Sequence, residues 1–336
     1  MSTPSTAEIP ARHLAGDLAL SELSLGCAQL GNLYREVADG EARDTVEAAW
    51  ALGVRYFDTA PHYGLGLSER RLGALLAGHN RDGYVLSTKV GRLLAPVEQV
   101  AGFDDEGFAV AATHRRVWDF SRDGIRRSLS ESLDRLQLDR IDIAYLHDCE
   151  NHMAEVFESA YPALEQLRAE GMLRAIGAGM NFSAPLAELA RNTDVDLLML
   201  AGRYTLLEQD ALDDLLPSCA QRGVGIVAAG VFNSGLLARA KVLEDAMYNY
   251  AGAPPELIER ARAIAAVCER HGTTLPAAAV RFPLGHPAVV SVCIGARSAE
   301  QVERNAELYR NQLPDELWLE LKAEGLLRED APTPAW

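Results

Sequence analysis

Four residues of this sequence could exchange a proton with a substrate oxygen if the chain brought them together: Asp58, Tyr63, Lys89 and His147. A tyrosine with its ordinary pKa of about 10 is a poor acid or base at neutral pH. A neighbouring ammonium favours its phenolate, and an imidazole can hydrogen-bond the same oxygen. Asp58 beside Lys89 would hold that ammonium charged and oriented. Such a set suits proton exchange at a carbonyl or alcohol oxygen while hydride moves at the adjacent carbon. Taken singly, each residue has an ordinary structural explanation: a loop cap for Asp58, packing for Tyr63, a solvated end for Lys89, a satisfied core histidine for His147. The chemistry requires all four at one point.

The elements that could bring them there are legible as a repeating pattern. Three times an amphipathic helix runs through a glycine into a short apolar stretch: EAAWALG into VRYFD, EQLRAEG into MLRAIG, and PSCAQRG into VGIVAAG. Gly53, Gly171 and Gly223 stand where a helix would end in a left-handed residue, a conformation that costs glycine no Cβ clash. Ile125, Leu129, Leu133 and Leu136 recur at helical spacing after Ser121, as do Leu257, Ala261, Ile264 and Cys268 further on. Apolar runs at 54–57, 84–88, 141–146, 173–178, 195–200, 225–229 and 289–294, with Leu23 to Gly26, read as eight strands buried on both faces. No G-x-G-x-x-G follows the first of them, so an α/β fold of the closed (β/α)8 TIM-barrel type fits better than an open doubly wound sheet.

A usual barrel takes about 250 residues. The surplus of this 336-residue chain falls after the third strand (Arg92 to Phe120), after the seventh (Phe232 to Pro255) and in the tail (Pro314 to Trp336). No change of composition marks a linker, so residues 1–336 read as one barrel domain with its core at about 20–310. Active sites of such barrels lie where the strands end. The second strand runs out through Asp58, Thr59, Ala60, Pro61, His62, Tyr63 and Gly64, the third through Ser87, Thr88, Lys89 and Val90, the fourth through Leu146, His147 and Asp148. All four candidates should meet at one mouth.

Composition narrows the partners. The formal net charge of −16 repels phosphate backbones and anionic membrane surfaces within a Debye length of about 8 Å, so neither nucleic acid nor a membrane is expected. The uncharged run between Arg222 and Arg239 holds 16 residues, several of them glycine, short of the ~20 apolar residues a bilayer requires. The start, MSTPSTAEIPARHL, has no apolar core of the secretory kind, which predicts a cytoplasmic protein. Cys27, Cys149, Cys219, Cys268 and Cys293 are scattered and form no C-x-x-C pair, so buried free thiols are expected rather than disulfides or a structural zinc site.

Here the sequence resembles the aldo-keto reductase superfamily. Tyr56-Phe57-Asp58-Thr59-Ala60-Pro61-His62-Tyr63-Gly64, then Gly66, Ser68-Glu69 and Leu72-Gly73, is similar to that family's first signature, and Ser87 to Gly91 and Leu146-His147 match its lysine and histidine stations. The resemblance implies a tetrad of Asp58, Tyr63, Lys89 and His147 and a nicotinamide dinucleotide lying across the barrel mouth. It also implies cofactor contacts: Asn181 at the carboxamide, Tyr204 stacked beneath the nicotinamide, and Phe232, Ser234, Gly235 and Leu236 along the pyrophosphate. Gly295, Arg297, Gln301 and Asn305 would hold the adenosine end at a helix N-terminus, where free N–H groups and the helix dipole favour anions. Members that strongly prefer NADP carry lysine and arginine where this chain has Gly295 and Gln301, so NAD is the expected cofactor and NADP a possible one through Arg297 or Arg304.

Finer features are similar to the D-threo-aldose 1-dehydrogenase and L-fucose dehydrogenase group: His114-Arg115-Arg116, Trp118-Asp119-Phe120-Ser121, Phe232 to Leu237 and Phe282 to Pro287. The implied reaction removes hydride from C1 of an aldose to give a lactone, with Tyr63 as general acid/base. Tyr34, His62, Trp118, Asn233 and Tyr248 are the candidates for substrate contact. Alternatives are a pyridoxal 4-dehydrogenase or general aldehyde reductase of the same family, a cofactor-binding regulatory subunit, and a metal-dependent hydrolase with His62, His147 and His152 as ligands. The first strand runs into Gly26-Cys27-Ala28-Gln29 with no His-x-His pair, which weighs against a metal. No metal is expected.

Overall fold

The computed structural model describes residues 9–14, 17–249 and 251–335; most of the N-terminal stretch read for a leader, and Trp336, lie outside them. Eight parallel strands form a closed barrel. They are β1 (Leu23–Gly26), β2 (Tyr56–Asp58), β3 (Val85–Val90), β4 (Ile143–His147), β5 (Ala175–Met180), β6 (Leu197–Ala201), β7 (Gly225–Ala229) and β8 (Val289–Gly295). Each pairs with the next in sequence, and β8 closes onto β1.

Four strands begin two residues later than their apolar runs. Val54, Ile141, Leu173 and Val195 are buried but precede the ladders. Apolar character reports burial, whereas the strand begins where backbone pairing begins, and these residues pack in the turns that enter it. At the other end the strands run on into polar residues, so Asp58, Lys89 and His147 are strand residues rather than loop residues.

That placement decides which way they point. Side chains alternate along a strand. Phe57, Leu86, Ala144 and Leu146 pack outward in the large core between sheet and helices, and Tyr56, Val85, Ile143 and Tyr145 pack inside the barrel. Asp58, Ser87, Lys89 and His147 share the inward face with the second set. The ladder sets their heights, pairing Asp58 with Ser87, Lys89 with Tyr145 and His147 with Gly179.

The principal helices are α1 (Asp39–Ala51), α2 (Leu67–Leu76), α3 (Arg122–Leu136), α4 (Tyr161–Ala169), α5 (Ser183–Asn192), α6 (Leu215–Arg222), α7 (Pro255–Arg270), α8 (Leu275–Arg281), α9 (Ala299–Arg310) and α10 (Asp315–Ala323). Gly53, Gly171 and Gly223 follow α1, α4 and α6 with positive φ, as expected. Ser121 caps α3 by accepting from the Gly124 amide at 3.0 Å, which satisfies one of the N–H groups a helix start leaves free.

Three features had no sequence signal strong enough to read. A hairpin of Ala11–His13 and Ala19–Ser21 closes the barrel floor, where Leu14, Leu18 and Leu20 join the interior cluster. The long segment after β3 is an antiparallel hairpin, Arg92–Pro96 with His114–Trp118. The segment after β7 carries a short pair, Met247–Tyr248 with Ala251–Gly252. No described helix is long and apolar enough to cross a membrane. All five cysteines are free and buried.

Candidate active site

Tyr63 is presented by a tight turn between β2 and α2. Its amide donates to the Ala60 carbonyl at 3.1 Å, and its carbonyl accepts from the Ser68 amide at 3.2 Å. The turn is pressed against the loop after β1 so closely that a Cβ on Gly64 (φ +62) would stand 2.2 Å from the Gly31 carbonyl oxygen. Only glycine permits both that conformation and that approach. Beneath it the fully buried Glu69 of α2 accepts from Arg135 of α3 at 2.5 Å and from Thr88 of β3 at 2.7 Å. Removing one partner of such a buried pair typically costs about 3–5 kcal/mol, so the signature glutamate is a brace for the turn.

Lys89 lies at the centre. Its ammonium donates to Asp58 Oδ2 at 2.6 Å, to the Tyr63 hydroxyl oxygen at 3.0 Å and to the Thr59 carbonyl at 3.1 Å. Lys89 and Asp58 are both 2 % exposed. An ammonium has three protons and accepts nothing. All three are committed, so the Tyr63 oxygen is an acceptor toward Lys89 and its own proton is free to point elsewhere.

Burial pulls Lys89 down, but Asp58 and the Tyr63 oxygen more than offset it, so the ammonium is held charged above its ordinary range. For Tyr63 the balance differs from the sequence expectation. Burial raises it more than Lys89 lowers it, and the hydroxyl is held above its ordinary range. The resting pair is a neutral phenol on a charged ammonium.

His147 is not hydrogen-bonded to the Tyr63 oxygen. Its ring stands edge-on to Tyr63 at 6.0 Å between centroids, Nε2 is 3.7 Å from Asp148 Oδ2, and the buried Nδ1 has no partner among the described residues. Burial, with the cations Arg92 and Lys89 nearby, holds His147 far below its ordinary pKa. His62, 5.5 Å from His147 between ring centroids, is pulled down to about 2 by burial and by Arg116, Arg92 and Lys89. Both imidazoles are neutral at working pH.

Across the mouth runs a groove of about 670 Å³ whose walls come from the ends of β5 to β8 and the loops after β1 and β7. Asn181, Phe232, Ser234, Gly235, Gly295, Arg297 and Gln301 line it, as do Tyr34 and Asn233. Of the six other expected contacts, His62 stands beside His147 and Trp118 lines a separate niche, and the remaining four are placed elsewhere. Tyr204 is 1 % exposed, with its ring packed against Phe282 and His286 rather than open to the groove. Leu236 is buried in the core under its loop. Asn305 faces an apolar crevice with Leu23, Ala49 and Val302. Tyr248 turns its hydroxyl to Glu208, leaving Asn249 to line the groove.

Among the groove residues that the sequence did not point to are Gln29, at the start of the loop after β1, Arg35 and Asn249. Gln29 Oε1 and Asn233 Oδ1 are buried acceptors without a partner among the described residues, as a ligand bearing hydroxyl or amide donors would require. The groove fits a dinucleotide in that respect, and Ser298, Gln301 and the N-terminus of α9 stand at its far end.

A second, polar niche of about 160 Å³ adjoins the groove, sharing Asn181 with it. Arg92, Trp118, Asp148, Glu150, His152 and Phe182 also line it. Arg92 donates to Asp148 at 2.5 Å and lies over the Trp118 ring at 4.2 Å. Glu150 Oε2 is buried without a partner among the described residues. Trp118, expected at a substrate pocket, lines this one; Asp148 was signalled only by following His147, and Arg92 and Glu150 had no signal of their own. His152 pairs with Glu155, and no three described His, Cys, Asp or Glu residues are grouped to hold a metal.

The Aldo/keto reductase family matches residues 22–324. The chain belongs to that family. It is 50% identical over 329 residues to a D-threo-aldose 1-dehydrogenase of a Pseudomonas species, covering 97% of this chain and 98% of the relative. A pyridoxal 4-dehydrogenase of Microbacterium luteolum is 38% identical, covering 92% and 95%. The solved holo form of an aldo-keto reductase from Bacillus halodurans superposes with a TM-score of 0.75 at 26% identity, covering 96% of this chain and 99% of that one. The protein is therefore an oxidoreductase of the aldo/keto reductase family, whose chemistry implies a nicotinamide cofactor.

Proposed function

We propose that this enzyme is an aldose 1-dehydrogenase that uses NAD in preference to NADP and oxidises the anomeric hydroxyl of a free sugar, such as L-fucose or a D-threo-aldose, to a lactone. One observation carries the reading: Asp58, Lys89 and Tyr63 form a buried line ending in a hydroxyl whose proton is uncommitted, beside a niche furnished with groups that bind hydroxyls. Tyr63 takes the proton of the anomeric hydroxyl during oxidation as the phenolate, after its own proton has passed to solvent, and as the neutral phenol it gives that proton back during reduction. Lys89 stabilises the Tyr63 oxygen when it is negative, and Asp58 keeps Lys89 charged. Neutral His147 orients the substrate oxygen without adding charge. A nicotinamide held in the groove would accept or donate the hydride at the substrate carbon.

Asn181, Asn233, Ser234, Gln29 and Gln301 would hold the dinucleotide. In the niche, Trp118 offers a ring face to the apolar side of a sugar, while Asp148, Glu150 and Arg92 offer charge-assisted hydrogen bonds to its hydroxyls. A niche of about 160 Å³ admits the hydroxylated tail of an aldose beyond the reacting carbon.

The preference for NAD rests on what stands near α9. At Gly295 a side chain would run into the Gln29 amide, 2.3 Å from a Cβ there. Gln301 Oε1 accepts from the Arg297 amide at 3.1 Å, and Arg304 is committed to the Ala238 carbonyl at 2.8 Å. A panel of aldoses, pyridoxal and simple aldehydes with each nucleotide, followed by nicotinamide absorbance, tests the reading. Fast turnover of aldoses with NAD is expected; turnover confined to pyridoxal or simple aldehydes would refute the sugar assignment.

A further inference from the structure

Beneath the candidate catalytic line the barrel interior holds polar groups that the proton exchange does not use directly. Tyr56 and Tyr145 are fully buried, with hydroxyl oxygens 3.0 Å apart. Tyr56 OH is also 3.0 Å from Ser87 Oγ, which is 2.7 Å from Asp58 Oδ1. Room for Tyr145 is made on the adjoining paired strand: a Cβ on Gly177 of β5 would stand 3.3 Å from the Tyr145 ring and 1.8 Å from the Leu197 carbonyl oxygen. Their surroundings are Leu20, Ile143, Leu197 and Val227, where an unpaired hydroxyl costs about 1–3 kcal/mol.

The direction of each proton follows from the carboxylate at one end. An ionised Asp58 only accepts, so Ser87 donates to it. Ser87 Oγ then has only a lone pair to offer Tyr56, so Tyr56 donates to Ser87. The Tyr56 oxygen in turn accepts from Tyr145, because the reverse orientation would set two lone pairs against each other at 3.0 Å. On its other oxygen Asp58 receives Lys89, which also donates to Tyr63. The lower end is closed by Leu14, Leu18 and Leu20, so no proton leaves by that route.

We propose that Ser87, Tyr56 and Tyr145 are positioning residues, a one-way hydroxyl chain that draws the charge of Asp58 down the barrel axis and away from Lys89 and Tyr63. The proposal rests on the reading of Tyr63 as the proton-exchanging group. Hydrogen bonds in series polarise one another, most strongly in a low-dielectric interior and toward an ionised acceptor. With the chain intact, Asp58 cancels less of the Lys89 charge as felt by Tyr63, and the phenolate forms more readily. Without it, the carboxylate charge falls wholly on Lys89 and Tyr63 keeps its proton to higher pH. The titratable groups around Tyr63 are Lys89, Asp58, His62, His147 and Asp148; the chain touches Asp58 alone and acts through it.

The test is the pH profile of substrate oxidation in Ser87→Ala, Tyr56→Phe and Tyr145→Phe, with melting temperatures recorded for each. The rise of kcat on the basic side should move to higher pH, most for Ser87→Ala and least for Tyr145→Phe. For Ser87→Ala the expected shift is about one unit, with turnover at neutral pH down about tenfold and KM within about twofold. The near-isosteric Ser87→Cys, a weak S–H donor, should fall between serine and alanine. Lowered melting temperatures with an unmoved profile would overturn the proposal, since packing alone would then explain the hydroxyls. NMR of the tyrosine ζ carbons in the nucleotide-free protein reads the chain without turnover. Asp58→Asn should move the Tyr56 and Tyr145 signals, and Ser87→Ala should move that of Tyr63. Those couplings in a wild-type protein that oxidises no sugar would uphold the chain while the dehydrogenase reading fails. Their absence in an active enzyme would remove the chain and leave the dehydrogenase.

Discussion

The line of Asp58, Lys89 and Tyr63 and the niche beside it hold comparable numbers of charges, yet they are fixed by different means. Asp58 and Lys89 stand on adjacent paired strands, with inward direction set by alternation and height set by register. Arg92, Trp118, Asp148 and Glu150 come from a hairpin and a strand-to-helix connection, and what holds them is mutual: Arg92 on Asp148, Arg92 over Trp118, Arg116 on Asp104 at 2.5 Å. Asp148 even requires a left-handed backbone, φ +43. The barrel thus separates a part whose geometry the whole sheet enforces from a part that is built by two loops and can be re-formed by changing them. On the proposed reading the first sets the reaction and the second sets the substrate, so damage to the first should cost turnover and damage to the second should cost discrimination.

The largest effect should come from Tyr63→Phe, which on the proposed reading removes the oxygen that exchanges the proton. Turnover should fall by about 10²–10⁴-fold, the usual worth of a general acid or base, with nucleotide affinity nearly unchanged by fluorescence titration. A variant that kept most of its turnover would end the assignment of the proton to Tyr63. Lys89→Met should follow closely, lowering turnover about a hundredfold. Its pH dependence carries the sign: Tyr63 is already held above its ordinary range by burial, and Lys89 is what lowers it. Loss of the ammonium therefore moves the basic-side rise of oxidation to still higher pH. Reduction, which needs the neutral phenol, should keep a level profile through neutrality in both proteins.

This difference in construction also explains what was legible beforehand. Asp58, Lys89 and His147 could be placed because an apolar run that ends in a polar residue is visible in one dimension, and the barrel brings all such ends to one rim. Tyr204 could not be placed in the same way. It sits in Arg203-Tyr204-Thr205 just past β6, where a shift of one residue decides between groove and core, and in this chain the ring packs on Phe282 and His286. The cradle of Tyr145 in the barrel depends on Gly177, a long-range coincidence that neither segment announces. The strength of burial at Tyr63 was likewise invisible, because the ammonium was legible in sequence and the dry surroundings were not.

Trp118→Ala tests the other side of the comparison. The ring packs under Arg92 and forms one wall of the niche, and such cation–ring contacts are worth about 0.5–2 kcal/mol. KM for aldoses should rise about tenfold with kcat changed far less, the signature of lost binding common to ground and transition states. Discrimination among aldoses that differ in distal hydroxyls should flatten. An unchanged ranking of sugars in this variant would show that the hairpin is scaffold and that substrate is read elsewhere.

The smallest effect expected lies at the far end of the groove, where neither the rigid line nor the niche reaches. Arg297 lines that end beside Arg35, which is held by Glu41 at 2.7 Å. Charge-assisted contacts to a phosphate are worth about 1.5–3 kcal/mol each, so two cations focused on a 2′-phosphate would reverse the preference. Here Gly295 and Gln301 contribute none, Arg304 is turned to Ala238, and Glu41 neutralises Arg35. Among the described residues at this end of the groove, Arg297 is left to meet the extra charge, against a chain carrying a net −16. NAD should be favoured in kcat/KM by about tenfold, and Arg297→Ala should lower NADP use several-fold while scarcely altering NAD. Measuring both nucleotides at one fixed sugar concentration decides it: an NADP preference that vanished in Arg297→Ala would mean that a single guanidinium outweighs the acidic background at this end of the groove.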